Sequence, residues 1–274
     1  IVMKRVLTFL MSILMLFSFF SIPVDNEMTF ADSYNGASLE NSEKVSIDFA
    51  RKEDSEIKID GGLPNYCDRS TRANSCANVA GAIVLGYYDK TYDELIENFA
   101  SARIIRDKVL YAAQNAVVDE VIASLYITMK TNITEGGTTI ANFKNGLQEY
   151  VNDQGFGISY SQVISNYSLN FSKYEDSIKQ ENPVVLFCSK YSLVSQMAFT
   201  AESGTEEFTL QHYIGNHVLI GYGIRTIKYY NSSGDLVHQL KLLAVGTGMS
   251  YGSLGYVLLD DYGTLIDGYK INIF

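Results

Sequence analysis

Two stretches of sequence decide the fold expected of this chain, and they read Asn74-Ser75-Cys76-Ala77-Asn78-Val79-Ala80-Gly81 and Gly215-Asn216-His217-Val218-Leu219-Ile220-Gly221-Tyr222-Gly223. The first places a cysteine at the start of a predicted buried helix, and the second places a histidine at the beginning of a predicted apolar strand. A thiol attacks as the thiolate, so it needs a helix N-terminus to stabilise the negative charge and an imidazole to take the proton. The two stretches therefore predict a nucleophile, Cys76, and its base, His217.

The N-terminus has the pattern of a secretory signal. Lys4 and Arg5 precede an apolar run over residues 6–20 that serines interrupt. This run is short for a membrane span, and Ala31 supplies the small residue expected before a cleavage site. We therefore predict that residues 1–31 are a removed signal peptide, the alternative being an uncleaved anchor. The expected location is secreted or extracellular, with attachment to the cell surface left open.

Length and composition favour one ordered domain. Beyond the signal about 240 residues remain, enough for a single large domain, and no linker or repeat divides them. We predict that residues 32–55 are a polar, propeptide-like leader and that residues 56–274 are the functional domain. The formal net charge of −10 argues against nucleic-acid or anionic-membrane partners, because phosphate binding needs clustered Lys and Arg. We expect a peptide or protein substrate, no nucleic acid, and no stable membrane association after signal removal.

The cysteine count predicts at least one free thiol, because Cys67, Cys76 and Cys188 make an odd number in an apparently secreted chain. Cys188 ends the apolar run that begins at Val184, where a cysteine is usually a small, inert hydrophobic residue. The sequence leaves open whether Cys67 pairs with Cys188 or stays free. No Cys-x-x-Cys or His-x-x-x-His spacing occurs, so neither a metal nor an organic cofactor is expected.

Hydrophobic periodicity predicts helices in the first half of the chain and strands in the second. Helical spacing of apolar residues marks four segments: 76–88, 92–100, 117–129 and 140–151, the last capped by Thr138-Thr139. Alternation and apolar runs predict edge strands at 45–49 and 56–60, and later strands at 158–163, 184–188, 193–200, 208–214, 217–223, 226–230, 236–245, 256–260 and 269–274. This order predicts an α+β fold with an N-terminal helical half packed on a C-terminal antiparallel sheet.

Three local patterns carry a resemblance to a known family. Cys76 opens a helix that runs into Leu85-Gly86-Tyr87-Tyr88-Asp89, the stretch Asn182-Pro183-Val184-Val185-Leu186-Phe187 resembles the strand before a catalytic histidine, and Asn216 to Gly223 resembles the histidine strand. Over residues 60–260 the chain resembles the papain-like cysteine peptidases, in particular the bacterial double-glycine-leader-peptidase-like family and, more distantly, streptopain. His217 follows Cys76 by 141 residues, within the roughly 130–150 residues usual for papain-type enzymes.

The resemblance implies a papain-like fold and hydrolysis of peptide bonds through a thioester on Cys76, with His217 as general base and then acid. Papain-type enzymes place a Gln about six residues before the cysteine to stabilise the oxyanion, but this chain has Ser70 there. Asn65 or Asn74 is the candidate replacement, together with the backbone N–H of Cys76.

The third catalytic member is ambiguous in the sequence. Strand order after the histidine puts it near Gly246-Thr247, whereas Asp260 is the carboxylate with a predicted strand in front of it. A dyad of cysteine and histidine without an acid is the remaining alternative. Of the other histidines, His212 is the rival nearest to His217, and His238 is expected at the surface.

Two other functions are compatible with the same residues. A degenerate papain-like domain would bind a peptide or a partner without cleaving it, and the missing Gln favours this alternative. A cell-wall amidase or endopeptidase would use the same chemistry, because a scaffold does not determine its substrate. Selective labelling of Cys76 by a thiol-directed electrophile separates an activated thiol from an inert one.

Overall fold

A computed structural model describes residues 37–70, 72–133, 136–195, 198–249 and 254–274. The predicted signal peptide, residues 1–31, lies outside the described residues. Within those ranges, no helix is both long enough and apolar enough to cross a membrane.

The described chain contains four helices and eleven strands. The helices are α1 (Cys76–Asp89), α2 (Ala116–Thr128), α3 (Ile140–Asp153) and α4 (Phe171–Lys179). The strands are β1 (Ser38–Phe49), β2 (Arg51–Lys58), β3 (Ala102–Ile105), β4 (Lys108–Tyr111), β5 (Ile158–Ser165), β6 (Ser168–Leu169), β7 (Val184–Ser195), β8 (Gly204–Tyr230), β9 (Leu236–Gly246), β10 (Leu254–Leu258) and β11 (Thr264–Ile273).

Nine of the strands form one antiparallel sheet, and β3 pairs with β4 in a separate hairpin. The sheet closes on itself at its centre, because β7 pairs with β8, β8 with β9, β9 with β10, and β10 with β7 again. Strand β11 extends the sheet from β7, followed by β5 and β6. The closed part of the sheet therefore leaves few open edges around its apolar interior.

The predicted α+β layout is wrong, because the protein is mainly β, with 45% strand and 22% helix. The helices at 76–88, 117–129 and 140–151 were placed correctly, and α1 packs on β8 as expected. The error lies in the size of the sheet: besides the strands of the second half it includes β1 and β2, which are longer than the edge strands predicted at 45–49 and 56–60. Strand β8 alone spans 27 residues, where the sequence pattern indicated three separate strands.

The helix predicted at 92–100 does not form. The carboxylate of Asp89 accepts hydrogen bonds from the backbone N–H groups of Ile96 and Ser101, at 2.8 and 3.1 Å, and from the Ser101 hydroxyl. Glu94 and Asn98 have positive φ, which a helix does not allow. The buried carboxylate thus folds this segment into successive turns, although its apolar residues have helical spacing.

The segment predicted as a leader contributes strands β1 and β2, which pair with opposite halves of β8. Lys52 on β2 forms a buried ion pair with Glu206 on β8, the two side chains being 6% and 3% exposed. Glu206 also accepts hydrogen bonds from the Tyr229 hydroxyl and the Ala201 backbone N–H. Residues from this N-terminal segment therefore belong to the packed interior of the sheet.

Candidate active site

The site lies at an interruption in the pairing of β8. At Ile214 the strand has β1 on one edge and β7 on the other, and at Ile220 it has β9 and β7. Because a strand has only two edges, β1 and β9 lie on the same edge of β8. Between them, in the part of the chain the structure describes, residues 215–219 have no strand partner on that edge.

The first residue of α1, Cys76, fills this interruption. The sulfur of Cys76 accepts a hydrogen bond from the backbone N–H of Val218. On the opposite edge, the Cys188 thiol reaches the His217 carbonyl oxygen at 3.4 Å, which agrees with the Val218 N–H pointing away from β7. The helix therefore delivers its N-terminal cysteine to the residue next to the histidine.

The pKa of the Cys76 thiol is set by two opposing influences. Burial raises it to about 11, although hydrogen bonds from the backbone N–H groups of Val218 and Ala77 favour the thiolate. Cys76 keeps partial solvent exposure, whereas Cys67 and Cys188 are buried and burial also raises the pKa of each. All three thiols are therefore protonated at neutral pH.

His217 is oriented by a main-chain carbonyl. Its Nε2 lies 2.8 Å from the carbonyl oxygen of Thr247, just beyond the end of β9. A carbonyl oxygen only accepts hydrogen bonds, so Nε2 is the donor, and in the neutral imidazole Nδ1 then carries the lone pair. The imidazole is 2% exposed and stacks on the ring of Tyr191 with centroids 5.7 Å apart. This arrangement leaves Nδ1 in the state that a general base requires.

A cavity of about 400 Å³ opens at this point, and Cys76 and His217 both line it. Its apolar wall consists of Ile140, Phe187, Val218 and Ile266. Its polar wall consists of Asn74, Gly136, Gly137, Thr138, Thr139 and Asn216. A cavity with one apolar wall and convergent polar groups has the features of a small-ligand or peptide site.

Of the two predicted oxyanion donors, the structure places Asn74 in the cavity wall, whereas Asn65 does not line it. Asn74 has positive φ and donates from Nδ2 to Asn132 Oδ1 at 2.8 Å. Asn132 also accepts from Gly137 N–H and donates to the Ala73 carbonyl. It therefore joins the segment before Cys76 to the glycines at 136–137, which line the same cavity.

Asp260 lies away from His217. Its carboxylate accepts hydrogen bonds from the hydroxyl of Ser192 and from the backbone N–H groups of Tyr262 and Gly263. Ser192 is the strand partner of His212, at 2.9 Å from its Nδ1. His212 is five residues, or about 16 Å, along β8 from His217. The structure therefore groups Asp260 with His212 and brings Thr247 to His217 instead.

The sequence interpretation missed Asn132 and Tyr191 as site residues, because both lie outside every motif that was singled out. Strand order placed the third member near Gly246-Thr247, and the structure brings the main-chain carbonyl of Thr247, not a side chain, to His217. His238 is exposed, as predicted, and all three cysteines are free thiols. Among the described residues, no group of three or more His, Cys, Asp or Glu side chains could hold a metal ion.

Comparison of the chain with protein-family models and with curated proteins finds no match.

Proposed function

We propose that this protein is a cysteine peptidase that hydrolyses peptide bonds with Cys76 as nucleophile and His217 as base. The observation that carries the proposal is the meeting of two elements in one cavity. The Cys76 sulfur accepts from the Val218 N–H, while Nε2 of His217, the preceding residue, is held by the carbonyl oxygen of Thr247. The resemblance of both motifs to papain-like enzymes supports the same conclusion.

The chemistry follows from the protonation states. Nδ1 of His217 takes the thiol proton as the sulfur attacks the scissile carbonyl carbon, which forms a C–S bond and an oxyanion. The imidazolium then gives its proton to the leaving amine as the C–N bond breaks, and a thioester remains. Water attacks the thioester with His217 again as base, which releases the acid and restores the thiol.

The oxyanion needs hydrogen-bond donors at the helix start. The backbone N–H of Cys76 is one of the first N–H groups of α1, which have no acceptor within the helix. The Asn74 amide has two N–H groups, of which one is used by Asn132. We assign the second N–H to the oxyanion, in the role that a Gln fills in papain-type enzymes.

The decisive experiment compares two cysteine variants of the same cavity. Cys76→Ala should abolish hydrolysis of a susceptible peptide and leave the fold intact, because it removes one small group at a helix start. Cys188→Ala, the matched control, removes the other thiol lining the cavity and should retain most of the activity. Hydrolysis by Cys76→Ala at the wild-type rate would exclude the peptidase proposal.

A non-catalytic peptide-binding module is the second candidate, and the raised pKa of Cys76 favours it. A thiol with a pKa of about 11 is almost entirely protonated at rest, so cleavage depends on proton transfer to His217 during attack. Absence of hydrolysis over a broad peptide library, together with peptide binding that Ile140→Glu in the cavity wall weakens, would favour the binding module.

A further inference from the structure

We propose that Tyr191 is a positioning residue for His217 and that it acts on both the imidazole and the carbonyl that orients it. This inference rests on the proposed peptidase function, because the pair it positions is the proposed base and its hydrogen-bond acceptor. Tyr191 is fully buried on β7 and is not among the residues that line the cavity.

The first contact restrains the ring of His217. The Tyr191 and His217 rings are stacked, with an interplanar angle of 23° and centroids 5.7 Å apart. Tyr191 also stacks on Tyr213, its strand partner on β8, with ring centroids 5.2 Å apart and an interplanar angle of 8°. The histidine therefore packs against a rigid pair of aromatic rings, which limits rotation of its side chain.

The second contact restrains the acceptor. The Tyr191 hydroxyl donates to the sulfur of Met249 at 3.2 Å, and the Met249 backbone N–H donates to the Thr247 hydroxyl oxygen at 3.3 Å. These bonds tie the turn at 247–249 to β7. The same turn presents the Thr247 carbonyl to Nε2 of His217. One side chain thus holds both partners of this hydrogen bond.

The acceptor of the Tyr191 hydroxyl, the Met249 sulfur, indicates that this hydroxyl positions the turn at 247–249 rather than stabilising the fold. A thioether sulfur is a weak acceptor, so this bond repays little of the cost of burying a phenol hydroxyl. A phenylalanine would fill the same space and stack equally well. The hydroxyl is therefore most useful for locating the turn that carries the carbonyl.

The position of the Thr247 carbonyl relative to His217 matters more than that of a carboxylate would, because the carbonyl is neutral. A carboxylate would attract the imidazolium over several ångströms, whereas a carbonyl dipole acts only in good hydrogen-bond geometry. When the turn moves, Nε2 loses its acceptor and the proton can reside on Nδ1, where it blocks the base function. Loss of the Tyr191 hydroxyl should therefore change the tautomer of His217.

The test compares Tyr191→Phe with Tyr213→Phe, which removes a buried hydroxyl from the neighbouring ring. In ¹⁵N NMR spectra, with the His217 signals identified by their loss in His217→Gln, Tyr191→Phe should lower the Nε2–H fraction of His217. We expect kcat for peptide hydrolysis to fall about tenfold, the worth of about one hydrogen bond, with KM unchanged. Tyr213→Phe should leave both quantities at the wild-type values, and both variants should unfold cooperatively.

Two results would overturn the proposal: a Tyr191→Phe variant with a wild-type tautomer fraction, or equal losses in both variants, which would indicate general packing. Tyr191→Leu, which removes the stacked ring as well, should lower the Nε2–H fraction further. Because the tautomer is measured without substrate, this test gives an answer even if the wild-type protein hydrolyses no peptide. Failure of the peptidase proposal is therefore distinguishable from failure of this one.

Discussion

The thiol of Cys76 shows how one residue combines a favourable position with an unfavourable environment. The helix N-terminus and the Val218 N–H favour the thiolate, yet burial outweighs them and raises the pKa to about 11. In the proposed peptidase, His217 would therefore have to remove the proton during attack. The proposal thus requires general-base catalysis rather than a resting ion pair of thiolate and imidazolium.

Alkylation of Cys76 should rise steeply with pH. Because only the thiolate reacts and the pKa is raised, the rate with iodoacetamide should increase about tenfold per pH unit from pH 7 to 10. Mass spectrometry that resolves each cysteine measures this rate, with the buried Cys67 as internal control. A plateau below pH 8 would contradict the raised pKa and indicate a preformed thiolate.

Gly248 should be required for the turn that presents the Thr247 carbonyl. It has φ +65°, and a Cβ there would lie 2.8 Å from Cγ1 of Val79 on α1. Gly248→Ala should therefore push the turn away from the helix, with a loss of about 1–3 kcal/mol in stability and a clear loss of kcat.

Gly234→Ala is the matched control, because its φ is +87° and nothing lies within 4 Å of the added Cβ. It should cost about 1 kcal/mol of backbone strain and leave hydrolysis unchanged. Chemical denaturation and steady-state kinetics measure both variants. Equal effects on hydrolysis would argue against a specific role for the turn.

At the scale of elements, the three longer helices form a layer whose spacing depends on small residues. Caps define the helix starts: Asn115 accepts from two N–H groups of α2, and Thr139 accepts from Asn142 N–H of α3. Gly146 on α3 faces the end of α2, where a Cβ would lie 2.6 Å from the backbone nitrogen of Met129. Because backbone cannot move aside as a side chain can, this contact determines how closely α3 approaches α2.

Gly146→Ala should destabilise the protein even though alanine is the better helix former. The gain in helix propensity is about 1 kcal/mol, while forcing two helix backbones apart costs about 1–3 kcal/mol or more. We expect a net loss of stability by urea denaturation. Asn145→Ala, at the adjacent exposed position, should be neutral or stabilising. A stabilised Gly146→Ala variant would show that α3 can shift freely.

At the scale of the whole molecule, β8 organises the fold. It pairs with β1, β2, β7 and β9, so strands from both ends of the chain meet on it. The buried pair of Lys52 and Glu206 joins β2 to β8, and the Lys52 ammonium also donates to the Phe199 carbonyl at 3.0 Å. Residues far from the cavity thus hold the strand whose interrupted edge forms it.

Lys52→Met should be strongly destabilising, by about 3–5 kcal/mol, because it leaves the Glu206 carboxylate buried without a counter-charge. Adding Glu206→Gln should recover much of the loss, since the amide oxygen still accepts from the Ala201 N–H and the amide N–H group can donate to the Tyr229 hydroxyl oxygen. Arg51→Met, in an exposed pair with Glu53, should change stability by less than about 1 kcal/mol. Denaturant titration of the four proteins tests this order, and no recovery in the double variant would contradict it.

The features that could be predicted from the sequence are those that depend on residues close together in the chain. Helical spacing located α1, α2 and α3, with a threonine cap for α3, and the predicted strands at 226–230 and 236–245 located the hairpin of β8 and β9. The same reasoning identified Cys76 and His217, which the structure brings into one cavity. The helices and the hairpin can be predicted because helical hydrogen bonds and tight turns join residues only a few positions apart.

The pairing of the strands and the surroundings of His217 could not be predicted from the sequence, because both depend on the tertiary structure. Ser38 pairs with Ile214 across 176 positions, and nothing near either residue encodes the partner. Strand order pointed to the neighbourhood of Thr247, but every residue has a carbonyl, and only the path of the chain determines that the Thr247 carbonyl meets His217. Asp260 had the more suitable side chain, but the sheet register places it beside Ser192 and His212 instead. Strand pairing joins residues that are far apart in the chain. The fold class and the group that contacts His217 both depend on this pairing, so neither follows from local sequence patterns.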